Sequence, residues 1–342
     1  MLKGVVQKLV ERRDLSPAEV EAAFESIFAG DATPALLGAF LVAFRMKGET
    51  PEEIAAAAVV MRRRATPVRV PPGRVVLDTC GTGGDGAGTF NLSTAAALVV
   101  AGTGEVTVAK HGNRSVSSRS GSADVLAASG VDVEAPVAVV ERCLAELHIG
   151  FLYAPALHLA MKHVAPIRRE VGIRSVFNLL GPLANPARAP HQLLGVYAAP
   201  LVQVVARTLA HLGTDRALVV HGEDGLDEVS PSGPTRAAWV EGGKVRELTL
   251  TPEQAGLERI PGEAIRGGEA ADNARMLAGV LAGDPGPLRQ AVLLNAGAAL
   301  WVSAAAGSLA DGVQRAARSI DSGAARARLA GLVSLTNPGE TA

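Results

Sequence analysis

The chain is nearly without cysteine, holds few lysines and carries no excess charge of either sign. Two cysteines, Cys80 and Cys143, are too few for a disulfide framework, so the sequence reads as that of a cytoplasmic protein. A balance of 33 basic against 34 acidic residues gives a net charge of −1. That leaves no global field to hold a nucleic-acid backbone or an anionic membrane, and neither partner is expected. Lys3, Lys8, Lys47, Lys110, Lys162 and Lys244 are the only lysines. The resulting bias towards arginine, with abundant alanine and proline, fits heat tolerance or a biased genome equally. Long apolar runs are also scarce. The stretch between Arg289 and Asp311 has no charge, but it holds Gln290, Asn295, Gly297, Ser303 and Gly307 and favours alanine over leucine. It predicts a buried helix and no membrane span. Lys3 and Lys8 interrupt the apolar pattern of Met1 to Val10 and no small-residue cleavage site follows, so no signal peptide is expected.

What is present points to a large folded body. With 342 residues, 48% of them hydrophobic and 20% charged, the chain is neither disordered nor a coiled coil. Its length predicts two domains, or one α/β body with an addition. The first seventy residues or so read as helices. Ser16-Pro17-Ala18-Glu19 and Thr50-Pro51-Glu52-Glu53 are capping boxes with proline at the first helical position, Thr33-Pro34 opens another helix, and Gly30 and Gly48 mark stops. Arg62-Arg63-Arg64 reads as a solvated helix end, where cations suit the macrodipole. Pro71-Pro72-Gly73 then breaks the pattern, which puts a helical domain at 1–72 and an α/β domain at 73–342.

Beyond the break, short apolar runs at Val75–Leu77, Val106–Ala109, Leu193–Val196 and Ala217–Val220 alternate with helical segments such as Ser93–Ala101 and Ser122–Ser129. That alternation predicts a mostly parallel sheet covered on both faces. Thr235 to Leu250 reads as a hairpin turning at Glu241-Gly242-Gly243-Lys244, and the chain from Asp272 onward reads as helical, with Asn337 to Ala342 frayed.

Ligands of an open parallel sheet bind beyond the carboxyl ends of its strands, so the residues after each run carry the functional reading. After the first run, Gly81, Gly83, Gly84, Gly86 and Gly88 place five glycines in eight positions, ahead of a helix N-terminus, which suits a phosphate. Gly81, Gly83 and Gly86 match the spacing of a dinucleotide fingerprint, but the second run ends in Lys110 where that fold needs an acid. A P-loop lysine is absent too. Asn91-Leu92-Ser93-Thr94 enters the helix, where Ser93 and Thr94 can cap it, donate to a phosphate or ligate a hard cation. Lys110-His111-Gly112-Asn113-Arg114-Ser115-Val116-Ser117-Ser118 reads as a donor-rich loop suited to a phosphorylated sugar. Glu223, Asp224, Asp227 and Glu228 put four carboxylates in six residues, a solvated turn or a magnesium site. Met161 to Gly172 resumes helical character in mid-chain, where Arg168 can face a carboxylate or simply meet water.

Together these loops resemble the anthranilate phosphoribosyltransferase family. The resemblance rests on Gly81-Thr82-Gly83-Gly84-Asp85, Lys110-His111-Gly112-Asn113-Arg114, Asn178-Leu179-Leu180-Gly181-Pro182-Leu183, Asp224-Gly225-Leu226-Asp227-Glu228 and Asn295-Ala296-Gly297-Ala298-Ala299-Leu300, and it covers nearly the whole chain. It implies transfer of the phosphoribosyl group of phosphoribosyl pyrophosphate to the amine of anthranilate, in tryptophan biosynthesis. It also implies Mg2+, a helical domain completed by helices from about 160–185, and homodimerisation through that domain. By the same resemblance Gly81, Gly84, Asp85, Thr89, Asn91, Leu92, Ser93 and Thr94 bind phosphoribosyl pyrophosphate, as do the residues from Lys110 through Ser118, and Ser122. Ser93, Asp227 and Glu228 hold the metal, while Gly81, Asn113, Arg168 and His111 receive anthranilate. No residue is assigned as general base. The rivals are a pyrimidine nucleoside phosphorylase of the same architecture, disfavoured because Gly112-Asn113-Arg114 follows the histidine, and a non-catalytic binder of phosphoribosyl pyrophosphate.

Overall fold

The computed structural model describes residues 1–115 and 119–337. Val116, Ser117 and Ser118 therefore lie outside the described residues, as do 338–342. The chain opens with four helices, α1 (Leu2–Val10), α2 (Pro17–Ala29), α3 (Pro34–Lys47) and α4 (Pro51–Arg64). Their starts are local chemistry. Ser16 and Thr50 form reciprocal capping boxes with Glu19 and Glu53, Thr33 accepts from the Leu36 N–H, and Gly30 ends α2 at φ +84°. Glu53 does more than cap: it is buried and also accepts from the Leu15 N–H and from Lys47 Nζ at 2.7 Å. Phe24, Phe28, Phe40 and Phe44 fill this body, and Phe177 from mid-chain joins them with its centroid 5.5 Å from that of Phe24. Arg62 is not a solvated helix end; it turns inward and donates to the Leu183 carbonyl.

The rest of the chain forms β1 (Val76–Gly81), α5 (Leu92–Gly102), β2 (Thr107–Gly112), α6 (Ser122–Ala128), α7 (Val137–Leu147), β3 (Ile149–Tyr153), α8 (Ala154–Leu157), α9 (Ala165–Val171) and α10 (Phe177–Leu183). It continues with β4 (His191–Gly195), α11 (Leu201–His211), β5 (Arg216–Gly222), β6 (Thr235–Glu241), β7 (Lys244–Leu250), α12 (Ala270–Ala282), α13 (Pro287–Val302), α14 (Leu309–Asp321) and α15 (Ala324–Thr336). The seven strands make one sheet in the order β3-β2-β1-β4-β5-β6-β7. The first five are mutually parallel, and β6 and β7 add the expected antiparallel hairpin, with Gly242 and Gly243 at positive φ in its turn. Alternate residues feed opposite faces: Leu193, Leu218, Val220 and Trp239 face α5 and α13, whereas Leu194, Val219 and Val240 share a cluster with α4, α10 and α11. The chain lays strands to one side of β1 and then returns to place β4 on the other. The switch point of the sheet is therefore the β1/β4 pair.

Further expectations change. Lys110, His111 and Gly112 end strand β2 and do not belong to a loop, because they pair in the sheet with Phe151, Leu152 and Tyr153 of β3. Ser93 and Thr94 do not cap α5; the helix starts at Leu92, with Asn91 at the cap position and no side-chain cap bond. β3 is an addition to the strands expected: α7 passes straight into it through His148 at φ +58°, without glycine or proline to announce the change. Asn337 is tied down, donating to the Gly130 carbonyl at 2.9 Å. The charge-free stretch is the buried helix α13 followed by a turn, and no helix among the described residues is long and apolar enough to cross a membrane.

Candidate functional site

The site gathers where β1 and β4 end in glycine. A Cβ on Gly81 would lie 2.7 Å from Asp227 Oδ2, and one on Gly195 would lie 1.5 Å from the Asp227 backbone oxygen. Glycine at both strand ends thus lets the acidic segment lie directly across the switch point. Asp227 Oδ2 accepts from the Gly83 N–H at 2.8 Å, and Glu228 Oε1 accepts from the Ser93 N–H at 3.2 Å. Asp85 lies close by, with its Oδ2 3.4 Å from the Asp227 N–H. Burial raises the pKa of both Asp227 and Glu228, and the facing carboxylates add to it. Lys110 is buried beneath them, 2.5 Å from the Thr79 carbonyl and 3.3 Å from Ser93 Oγ, and burial lowers its pKa.

The glycine loop is braced from outside. Gly83, Gly84, Gly86 and Gly88 have positive φ, and Gly267 donates to the Gly88 carbonyl while Thr89 bridges Arg266. Arg174 donates to the Gly84 carbonyl and stacks 4.0 Å from the Tyr197 ring centroid. Asn91 donates to the Ser120 carbonyl and accepts from Asn273. Leu92 is a buried core side chain that presents only backbone to the cleft. Thr94 is buried as well, and its hydroxyl has no partner among the described residues. Asn113 accepts from Ala123 N–H and Ser122 Oγ through its carbonyl, whereas Arg114 turns to Asp124 and Glu134. The Ser115 N–H donates to Asp124.

A second cluster lies towards α10. His111 Nδ1 is 3.1 Å from the Gly181 carbonyl and its Nε2 is 3.1 Å from His158 Nε2. A carbonyl only accepts, so these partners assign the proton to His111 Nδ1; Nε2 then accepts from the N–H of His158. Burial and the neighbouring His158 drive the His111 pKa down to about 3, and burial takes His158 to about 4. Arg168 lies 5.5 Å over the Phe177 ring and pairs with no carboxylate among the described residues; burial lowers its pKa. Arg168 and His111 therefore both touch α10, but no direct contact joins them. Asp78 belongs to the site's support and carries no signal in the sequence. It is buried between the His111 N–H and Asn185 Nδ2, and burial lifts its pKa to about 6. A place inside a strand hides its role, and His158, Arg174 and Asn273 go unread because their partners are remote in sequence.

The donor set fits magnesium. Magnesium takes one or two carboxylates and leaves the rest of its shell to substrate oxygens, and Asp227 and Glu228 stand side by side next to Ser93. The adjacent Asp227 and Glu228, whose charged forms are disfavoured by their surroundings, gain from a divalent cation.

Residues 3–65 match the glycosyl transferase family helical bundle domain, and residues 73–326 match the glycosyl transferase family a/b domain. An anthranilate phosphoribosyltransferase of Anaeromyxobacter dehalogenans (strain 2CP-C) is 58% identical over 336 residues, 98% of this chain and 99% of that one. The crystal structure of the Thermus thermophilus enzyme of that name is 46% identical, with a TM-score of 0.92 over 97% of this chain and 99% of the other. The Saccharomyces cerevisiae enzyme in complex with phosphoribosyl pyrophosphate and Mg is 31% identical, with a TM-score of 0.89 over 98% of each chain. Relatives that match this chain almost from end to end share one activity, and the rival phosphorylase and binder readings give way to it. The chain belongs to the anthranilate phosphoribosyltransferase family.

Proposed function

We propose that the β1/β4 switch point binds phosphoribosyl pyrophosphate and that the side of the cleft facing α9 and α10 receives anthranilate. The family reaction moves the phosphoribosyl group to the anthranilate amine and releases pyrophosphate. The observation that carries the assignment is the meeting of glycine-loop N–H groups, Ser93 and Lys110 with Asp227 and Glu228 over two glycine strand ends. Gly81, Gly84, Asp85 and Thr89 line the sugar phosphate. Asn91, Leu92 through its backbone, Ser93 and Thr94 lie by the pyrophosphate, and the segment from Lys110 to Ser115 with Ser122 embraces the ribose phosphate. Ser93, Asp227 and Glu228 would hold Mg2+, which neutralises charge on the departing pyrophosphate when bound.

Loss of pyrophosphate leaves positive character on the anomeric carbon, so the residues here act by placing charge and by excluding water. The amine of anthranilate is already a nucleophile, and orientation matters more than prior deprotonation. Arg168, with no carboxylate of its own among the described residues, suits the anthranilate carboxylate. Asn113 and Gly81 complete that pocket with His111. The His111 ring stays neutral and has both nitrogens engaged, which supports assigning no general base.

The helical domain, 1–72 with α9 and α10 added, and the α/β domain from 73 onward are proposed to close on this cleft. Exposed Val10, Val42 and Met46 on α1 and α3 support a homodimer through the helical domain, to be checked by sedimentation. A cytoplasmic location fits the two unpaired cysteines. The test of function is fluorescence loss of anthranilate with phosphoribosyl pyrophosphate, with Mg2+ added or chelated. Turnover that needs both is expected; turnover with Mg2+ chelated would overturn the metal assignment.

A further inference from the structure

Helix α13 is largely buried, and Asn295 is a fully buried polar side chain within it. Every hydrogen-bonding position of its amide in use points at backbone. Oδ1 accepts from the Val229 N–H at 3.0 Å, while Nδ2 donates to the Val229 carbonyl at 3.0 Å and to the Ala291 carbonyl at 3.0 Å. One side chain thus pairs with both backbone groups of the residue that follows Glu228, as a neighbouring strand would. Val229 is itself fully buried, so water has no access to replace either bond.

Two residues further along, Gly297 faces another neighbour. A Cβ there would lie 2.8 Å from the Val313 nitrogen, and a Cβ on Gly312 would lie 2.3 Å from the Gly297 carbonyl. The backbones of α13 and α14 are therefore in contact at this point. Helix α13 is wedged, with Asn295 reaching the acidic segment and Gly297 seated against α14. The segment is also held from its own start, where Asp224 accepts from the Leu226 N–H and from the Ser230 and Ser232 hydroxyls.

We infer that Asn295 is a positioning residue for the metal site: its amide fixes the backbone at Val229 and so sets where Asp227 and Glu228 present their carboxylates. The inference rests on the proposed assignment of the metal to those two residues. Asn295 lies outside the cleft and touches neither substrate; its effect passes through Val229.

The test compares the binding of two probes by calorimetry: the Mn2+ complex of phosphoribosyl pyrophosphate, and phosphoribosyl pyrophosphate alone in EDTA. Asn295→Ala is expected to weaken the Mn2+ complex about tenfold or more while changing metal-free binding less than about twofold. In turnover, the Mg2+ concentration for half activity should rise by a similar factor with the KM for anthranilate unchanged. A purely structural role would lower the melting temperature and leave the ratio of the two affinities alone, and that result overturns the inference. If Asn295→Ala does not fold, Asn295→Asp, which keeps the shape and the Val229 N–H acceptor but loses the donor, is measured in the same way; failure of both to fold also overturns it. Asp227→Asn separates the two readings. If it leaves the ratio unchanged, the metal assignment itself fails; if it collapses the ratio and Asn295→Ala does not, only the positioning role fails.

Discussion

Acid should destabilise this protein through a pair of histidines held neutral in its core. His111 and His158 are each nearly inaccessible to water, with folded pKa values of about 3 and about 4 against an ordinary value of 6.5. In both cases the folded pKa lies below the unfolded one, so the unfolded chain binds more protons. Their contribution is complete above the unfolded value and is lost as pH falls through 6.5 towards 4 and 3. Integrating from pH 7 to pH 5 gives a loss of about 2 kcal/mol for each ring. His158→Gln isolates one of them, because the glutamine amide can still donate to His111 Nε2 but does not titrate. Urea unfolding at the two pH values supplies the measurement. The wild type should lose about 2 kcal/mol more than His158→Gln on acidification. Equal losses would refute the reasoning and mean that the rings reach solvent or accept protons in place.

Gly195→Ala has no room for its methyl beneath the Asp227 carbonyl, so the acidic segment must lift and kcat/KM should fall by about a hundredfold or more; activity within a factor of about three of wild type contradicts the geometry. Arg168→Ala should raise the KM for anthranilate by about tenfold or more, and a rise for phosphoribosyl pyrophosphate alone would sink the assignment. Lys47→Met strands Glu53, whose side chain is fully buried, and should cost roughly 3 kcal/mol in denaturant unfolding with little change in KM. An unchanged stability would mean that the buried Lys47–Glu53 pair makes no net contribution.

What can be read from the sequence is chemistry with near neighbours. The boxes at Ser16 and Thr50 each span four residues, and the hairpin turn at Gly242-Gly243 is likewise complete within four. The glycine run and the acidic run announce themselves by density alone. Lys110 and His111 read as loop residues because charge is rare in a buried strand; their partners, the Thr79 carbonyl and Gly181, are 31 and 70 residues away. Asn295 is legible as a motif residue in an alanine-rich helix, but nothing in its vicinity names Val229 as its partner. Asp78 and Asn185 are hidden in the same way, being 107 residues apart. β3 escapes because a left-handed histidine makes the turn usually signalled by glycine.

The bracing of the cleft also fixes when the site can exist during folding. Gly88 is held by Gly267, Asn91 by Asn273 at a separation of 182 residues, and Val229 by Asn295 at 66. The parallel strands β1 to β5 are complete by residue 222, well before any of these three partners has been made. A chain emerging from its N-terminus can therefore build the sheet while both halves of the cleft still lack their supports. Competence arrives with the docking of α12 and α13, so a stalled or shortened chain is expected to be inert and not weakly active.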